Sequence, residues 1–221
     1  MARMKRQLIL CAIILFAASA VLCAQQTPAS DKAIPCKELT AKLNAGDTNI
    51  DYDLLRTACV DDPGASEARE AVDKSEMQSM YGALNADKYD EALKLAEALL
   101  QKDVISLDAR FVAYIGARES GAKERAAFHR AVLRGLLHSI TQGRDGRSAA
   151  TCWNAVIVHE EYIALQILGY SVKQQALRHA EGHDFDVMTV TSEEQKEPIE
   201  IYFNIDKLWA GYDKAFGKEK K

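Results

Sequence analysis

Residues 87–93 read Asp87-Lys88-Tyr89-Asp90-Glu91-Ala92-Leu93, and residues 123–127 read Lys123-Glu124-Arg125-Ala126-Ala127. Each stretch opens a helix with charged residues and then brings a small alanine onto its apolar side. Ala92 and Ala126 stand 34 positions apart, a period of stacked helical hairpins in which a small side chain lets two helices cross closely. Around these two openings the chain from Ser66 to Gln142 is almost free of breakers. Met77, Met80, Tyr81 and Leu84 recur at spacings of three and four, as do Leu93, Ala96, Leu99 and Leu100, then Phe111, Tyr114 and Ile115, then Val132, Leu136 and Ile140. That spacing predicts four helices of about 14–18 residues, with breaks near Ala86-Asp87, at Val104-Ile105-Ser106 and at Gly121.

Upstream, Pro35 opens a helix carrying Leu39 and Leu43, and a second runs from Ile50 to Cys59. Asp61-Asp62-Pro63-Gly64 stops it. The start of the first helix lies beside the end of the second in an antiparallel hairpin, so Cys36 and Cys59 are expected to form a disulfide; the alternative is free thiols. Cys152 is expected to stay a buried thiol.

Downstream, Gly143-Arg144-Asp145-Gly146 ends the helical region. Trp153 to His159 reads as a buried strand, and Glu160 to Leu168 as a helix closed by Gly169. Strands are predicted over Val172–His179, Phe185–Thr191 and Pro198–Asn204, with Gly182-His183-Asp184 as the turn between the first two. Ile205, Leu208, Trp209, Tyr212 and Phe216 then mark one apolar face of a closing helix. Fewer than two clear repeats cannot form a solenoid alone. The fold class is therefore α+β: N-terminal helical hairpins over 35–142, packed on a small, mostly antiparallel C-terminal sheet over 143–217, with a charged tail at 218–221.

The densest polar group is His159-Glu160-Glu161-Tyr162. A zinc motif of the His-Glu-x-x-His type needs a second histidine at i+4; that position is Ile163. The group is therefore expected to serve the helix start, where acids complement the dipole. His183-Asp184-Phe185-Asp186 reads as a polar hairpin tip with the side-chain types of a cation ligand set. The Gly143–Gly146 loop lacks the Gly-Lys-Ser/Thr ending of a phosphate loop, and no Gly-x-Ser-x-Gly elbow exists. One of Gln174 and Gln175 is expected to face a pocket or the core. Candidate binding residues at the helical–sheet junction are Asp145, His159, Glu160, Glu161, Tyr162 and Tyr202. No catalytic residue, metal or cofactor is assigned.

Two resemblances follow from these residues. The run Asp87-Lys88-Tyr89-Asp90-Glu91-Ala92, with Gly121 as turn glycine, resembles tetratricopeptide repeats, although the first helices lack the usual Trp and Gly. Ile50-Asp51-Tyr52-Asp53-Leu54-Leu55-Arg56, Val156-Ile157-Val158-His159-Glu160-Glu161-Tyr162-Ile163-Ala164-Leu165-Gln166-Ile167-Leu168-Gly169 and Ile201-Tyr202-Phe203-Asn204-Ile205 are similar to a family of exported bacterial proteins, domain of unknown function 4919. The resemblance spans about Asp51 to Phe216. It implies an exported protein with a helical half and supplies no activity.

Export is also read from the N-terminus. Arg3, Lys5 and Arg6 precede an apolar run from Leu8 to Ala24, broken only by Ser19, and Gln25-Gln26-Thr27-Pro28 follows. This is the pattern of a signal peptide, with cleavage expected after Ala24 and a flexible leader over 25–34. A retained anchor and lipidation at Cys23 are the alternatives. Cleavage leaves 25 Lys+Arg against 32 Asp+Glu, a net charge of −7. Such an acidic protein does not suit a phosphate-backbone partner. The expectation is thus a periplasmic or secreted, non-catalytic module for a protein or peptide partner, with no nucleic acid and no membrane span after signal removal. The alternative is a hydrolase or metal-dependent enzyme at the same junction.

Overall fold

The structure, a computed structural model, describes residues 34–210. The expected signal segment, residues 25–33 of the expected leader, Tyr212, Phe216 and the charged tail lie outside the described residues. The fold is α+β, with its helices mostly N-terminal to a four-stranded mixed sheet.

Helices α1 (Cys36–Asn44) and α2 (Tyr52–Asp61) form the first hairpin. Asp51 caps α2 by accepting from Leu54 N at 2.9 Å, which satisfies one of the orphan N–H groups of a helix start. The Asp61–Gly64 punctuation both ends α2 and starts α3 (Pro63–Glu70): Asp62 accepts from Ala65 N, and Pro63 occupies the first turn, where its missing N–H costs nothing. A further break falls at Ala71–Asp73. There Asp73 and Glu76 make a reciprocal capping box that opens α4 (Lys74–Asn85). Helices α5 (Tyr89–Lys102), α6 (Leu107–Glu119) and α7 (Lys123–Thr141) follow. Their breaks are the expected ones: Asp87 and Gly121 take positive φ, and Ser106 caps α6. Lengths of 12, 14, 13 and 19 residues replace the even 14–18 expected for α4–α7. The openings of α5 and α7 lie 34 residues apart.

Two close crossings fix the helical half. A Cβ at Gly116 would stand 2.8 Å from Tyr89 O and 3.0 Å from Leu93 Cβ, so α6 lies directly on α5. At Gly135 it would strike the Tyr52 ring, which seats α2 on α7. Met80, Ala92, Leu93, Ala96, Val112 and Ala113 form one buried cluster between α4, α5 and α6.

The sheet has the order β1-β4-β3-β2. β1 (Trp153–Asn154) runs parallel to β4 (Ile199–Asn204), while β2 (Tyr170–Ala180) and β3 (His183–Ser192) complete it antiparallel. The expected strand from Trp153 to His159 is only two residues long, because α8 (Val158–Ile167) begins at Val158. The turn between β2 and β3 is Glu181-Gly182, both at positive φ, as two-residue hairpins of type I′ require. His183 and Asp184 therefore already belong to β3. Leu55, Leu136, Ile163, Met188, Ile201 and Phe203 join α2, α7, α8 and the sheet into the main core. Ile205 is buried and Leu208 packs on that core, but Trp209 is 43% exposed. Its expected place on the buried face is corrected: at the start of the closing segment only the Ile205–Leu208 side meets the core.

The structure joins Cys36 to Cys59, with Cα atoms 4.7 Å apart. Cys152 is a buried thiol against Phe185 and Val187. No helix among the described residues is long and apolar enough to cross a membrane.

Candidate functional site

The start of α8 carries the site. Helix α8 has no side-chain cap, because its N-cap residue is the apolar Ile157, and the acids of its first turn, Glu160 and Glu161, are buried rather than serving the dipole alone. Glu160 makes a bidentate pair with Arg56 of α2, from Nε to Oε1 at 2.9 Å and from Nη2 to Oε2 at 2.8 Å. Glu160 Oε2 also accepts from Val156 N. Arg56 is fully buried and donates further to Asn154 O and Ser139 Oγ. This network ties α2, α7, β1 and α8 together, and it turns the backbone from strand to helix at Val156–Val158.

One residue earlier, His159 points to the helical half. Its Nε2 lies 2.7 Å from Asp108 Oδ2 in the first turn of α6. A carboxylate only accepts, so this ring nitrogen carries the proton. Asp108 Oδ1 accepts from Tyr81 Oη of α4 at 2.6 Å. The bond from Asp108 raises the affinity of His159 for its proton, against the opposing effect of burial. For Asp108, burial works against ionisation, but the bonds from His159 and Tyr81 outweigh it and hold the carboxyl below the ordinary range. Burial, then the Asp108 charge, push the Tyr81 phenol far up.

This dyad stands on a cleft of about 330 Å³ between α3–α6 and α8. Its walls are chiefly apolar: Val72, Met77, Leu99, Ile105, Ile157 and Ile163. Two polar stations border it. One is His159–Asp108; the other is Arg69–Asp103, with Nε 3.4 Å from Oδ1. Arg69 Nη2 also donates to Cys59 O beside the disulfide. Burial raises the Asp103 carboxyl despite Arg69.

Glu161 leaves the cleft for the sheet. It is fully buried, and neither of its carboxyl oxygens has a hydrogen-bond donor. Burial, and then the neighbouring Asp186, push its pKa up to about 9. Protonated, it can share its proton with Asp186; ionised, it has nothing to offset desolvation. Asp186 Oδ2 accepts from Gln175 Nε2 at 2.7 Å, and Tyr162 Oη donates to Gln175 Oε1. Gln174 and Gln175 are both exposed, so neither takes the expected place in the core or a pocket; Gln175 only bridges Tyr162 to Asp186.

The other candidates lie elsewhere. Asp145 is exposed and accepts from Arg147 N within its own turn. Tyr202 stands with Arg178 and Glu200 on the sheet face opposite Asp186 and Phe203. His183 binds Asp206 at 2.6 Å and His179 binds Asp184 at 2.8 Å, so His183, Asp184 and Asp186 do not converge. Among the described residues no group of three or more His, Cys, Asp or Glu side chains could hold a metal ion. Sequence reasoning missed Arg56, Arg69, Tyr81, Asp103 and Asp108. The available signal was a charge in register with a buried stripe: Arg56 beside Leu55 and three residues before Cys59, and Asp108 four before Val112.

An α+β protein with an apolar cleft at its helical–sheet junction is the class that fold and site define. The chain belongs to the family described as "Domain of unknown function (DUF4919)", which matches residues 47–214. No curated protein and no solved structure matches it.

Proposed function

We propose that this is an exported, non-catalytic module that binds a protein or peptide partner by seating an apolar side chain in the cleft between its helical hairpins and α8. The observation that carries this reading is the cleft itself, chiefly apolar along its walls, with the His159–Asp108 and Arg69–Asp103 pairs at its border beside Ser106 and Glu160. Its volume falls at the small end of ligand sites, which run from about 300 to 1,000 Å³, and suits one or two side chains. The 34-residue offset of α5 and α7 supports a tetratricopeptide-like use of the hairpins as a rigid recognition surface. The apolar N-terminal run and the Cys36–Cys59 bridge support export. Peptides selected by display on the purified protein test the reading. Met77→Trp, which fills the cleft, is expected to abolish their binding; undiminished binding would refute it.

A hydrolase is the second reading, favoured by one observation: a buried carboxylate orients an exposed imidazole, as in a general base with its orienting group. Turnover of an ester panel, lost in His159→Ala, would establish it.

A further inference from the structure

We infer that the segment seated in the cleft is the free carboxyl-terminal end of a polypeptide, its last apolar side chain between α3–α6 and α8 and its carboxylate on Nδ1 of His159. This rests on the peptide-binding reading above and adds the identity of the end that is bound. The His159 side chain is 65% exposed yet lines the cleft. Its Nε2 is committed to Asp108, while Nδ1 has no partner among the described residues. A protonated imidazole donates from both nitrogens, so the fixed ring presents one open charge-assisted donor at the rim of an apolar space.

The surrounding charges leave that donor available. Asp108 of α6 is engaged by His159 itself and by Tyr81 of α4; Asp103, before α6, by Arg69 of α3; Glu160 of α8 by Arg56 of α2. Each acid facing His159 already has its own cation or donor; because Asp108 is the counter-ion of His159 itself, an incoming carboxylate is met by the open Nδ1–H of a paired imidazolium and not by an uncompensated charge. The second station decides between sources of an aliphatic carboxylate. A free fatty acid has one polar end and would lay methylenes against Arg69–Asp103. A peptide brings amide groups to that rim as well as a carboxylate to His159, and leaves neither station unmatched.

The test follows the His159 Cε1–H signal by NMR at pH 6 during titration with N-acetyl-Ala-Ala-Ala-Leu as free acid, its carboxamide, and octanoate. The free acid is expected to shift the signal and to bind roughly tenfold tighter than the carboxamide, as one charge-assisted hydrogen bond implies. His159→Gln, followed by backbone amide shifts, is expected to erase that difference and to keep carboxamide binding. Met77→Trp and Val72→Trp are expected to remove both. Equal affinity for acid and carboxamide would overturn the carboxylate inference and leave the cleft reading standing. Tighter binding of octanoate would overturn the peptide source. Absence of binding by all three at millimolar concentration would overturn the inference and the cleft reading together.

Discussion

Arg56 and Glu160, 104 residues apart in sequence, form a bidentate ion pair buried on both sides. The remaining hydrogen bonds of the pair go to the junction, to Ser139 of α7, Asn154 of β1 and Val156 before α8, and Arg56 Nη1 also lies 3.8 Å from Asp53 Oδ1 on its own helix. Removing Glu160 leaves the buried Arg56 with only the more distant, half-exposed Asp53 as counter-ion, and breaking a buried pair in this way costs about 3–5 kcal/mol. Glu160→Gln is therefore expected to lower stability by that amount in urea denaturation. Replacing both residues by methionine is expected to cost much less than the two single changes added, because no orphan charge remains. A Glu160→Gln variant within about 1 kcal/mol of wild type would show that the pair does not hold the junction.

That pair also marks the limit of what the sequence discloses. Helical spacing identified α4–α7, and alternation with turn residues identified β2–β4, because both signals are local. His159-Glu160-Glu161-Tyr162 was visible as a dense polar group for the same reason. Its meaning was not, since each residue takes its partner from another element: Asp108 for His159, Arg56 for Glu160, Asp186 for Glu161 and Gln175 for Tyr162. Asp145 and Tyr202 are neighbours, with Tyr202 N donating to Gly146 O at 2.8 Å, but Tyr202 lies on the sheet face opposite Asp186 and Asp145 in an exposed turn. Gly146 is pinned under Trp153 Nε1 and Ile201, which turns Asp145 out to solvent.

The disulfide carries a prediction of its own. Cys36 starts α1 and Cys59 ends α2, a separation of 23 residues. Closing such a loop is worth about 3 kcal/mol in the chain-entropy model. Reduction is expected to lower the unfolding free energy by about that much and to expose the Arg69–Cys59 contact at the cleft. Non-reducing peptide mapping should recover the two peptides joined, and Cys152 should alkylate only on unfolding. Rapid labelling of Cys36 or Cys59 in the native protein would contradict the bridge.

Ala92 and Ala126 share the 34-residue register but not the same burial: Ala92 is fully buried, whereas Ala126 is only half-buried. Ala92→Phe is expected to overpack the helical cluster at a cost of about 1–3 kcal/mol, and Ala126→Phe to cost less. Gly116→Ala is expected to destabilise although alanine favours helix, because its Cβ meets the backbone of Tyr89. Thermal melts of the three variants rank these costs, and an unmoved Tm for Ala92→Phe would refute the close crossing.

Glu161 makes stability depend on pH in a direction opposite to that of an ordinary paired carboxylate. Burial and Asp186 raise its pKa from 4.5 to about 9 in the folded protein. The unfolded state releases this proton near the ordinary value, while the folded state keeps it. Between roughly pH 4.5 and 9 the folded state therefore binds more protons, and stability falls as pH rises, by up to about 1.4 kcal/mol per pH unit. Below that window Glu161 is protonated in both states and costs nothing; above it the loss is complete. Glu161→Gln keeps the shape and remains neutral throughout, and its amide can donate to Asp186. The variant is expected to match wild type near pH 4.5 and to exceed it by about 2–3 kcal/mol at pH 7. Asp186→Asn is expected to flatten the wild-type slope only in part, because burial is the larger cause and remains. Urea denaturation of the three proteins from pH 4.5 to 9 measures these differences, with the shared carboxylates cancelling in the comparison. Parallel curves for wild type and Glu161→Gln would mean that Glu161 is ionised in the fold and that its oxygens have found a donor.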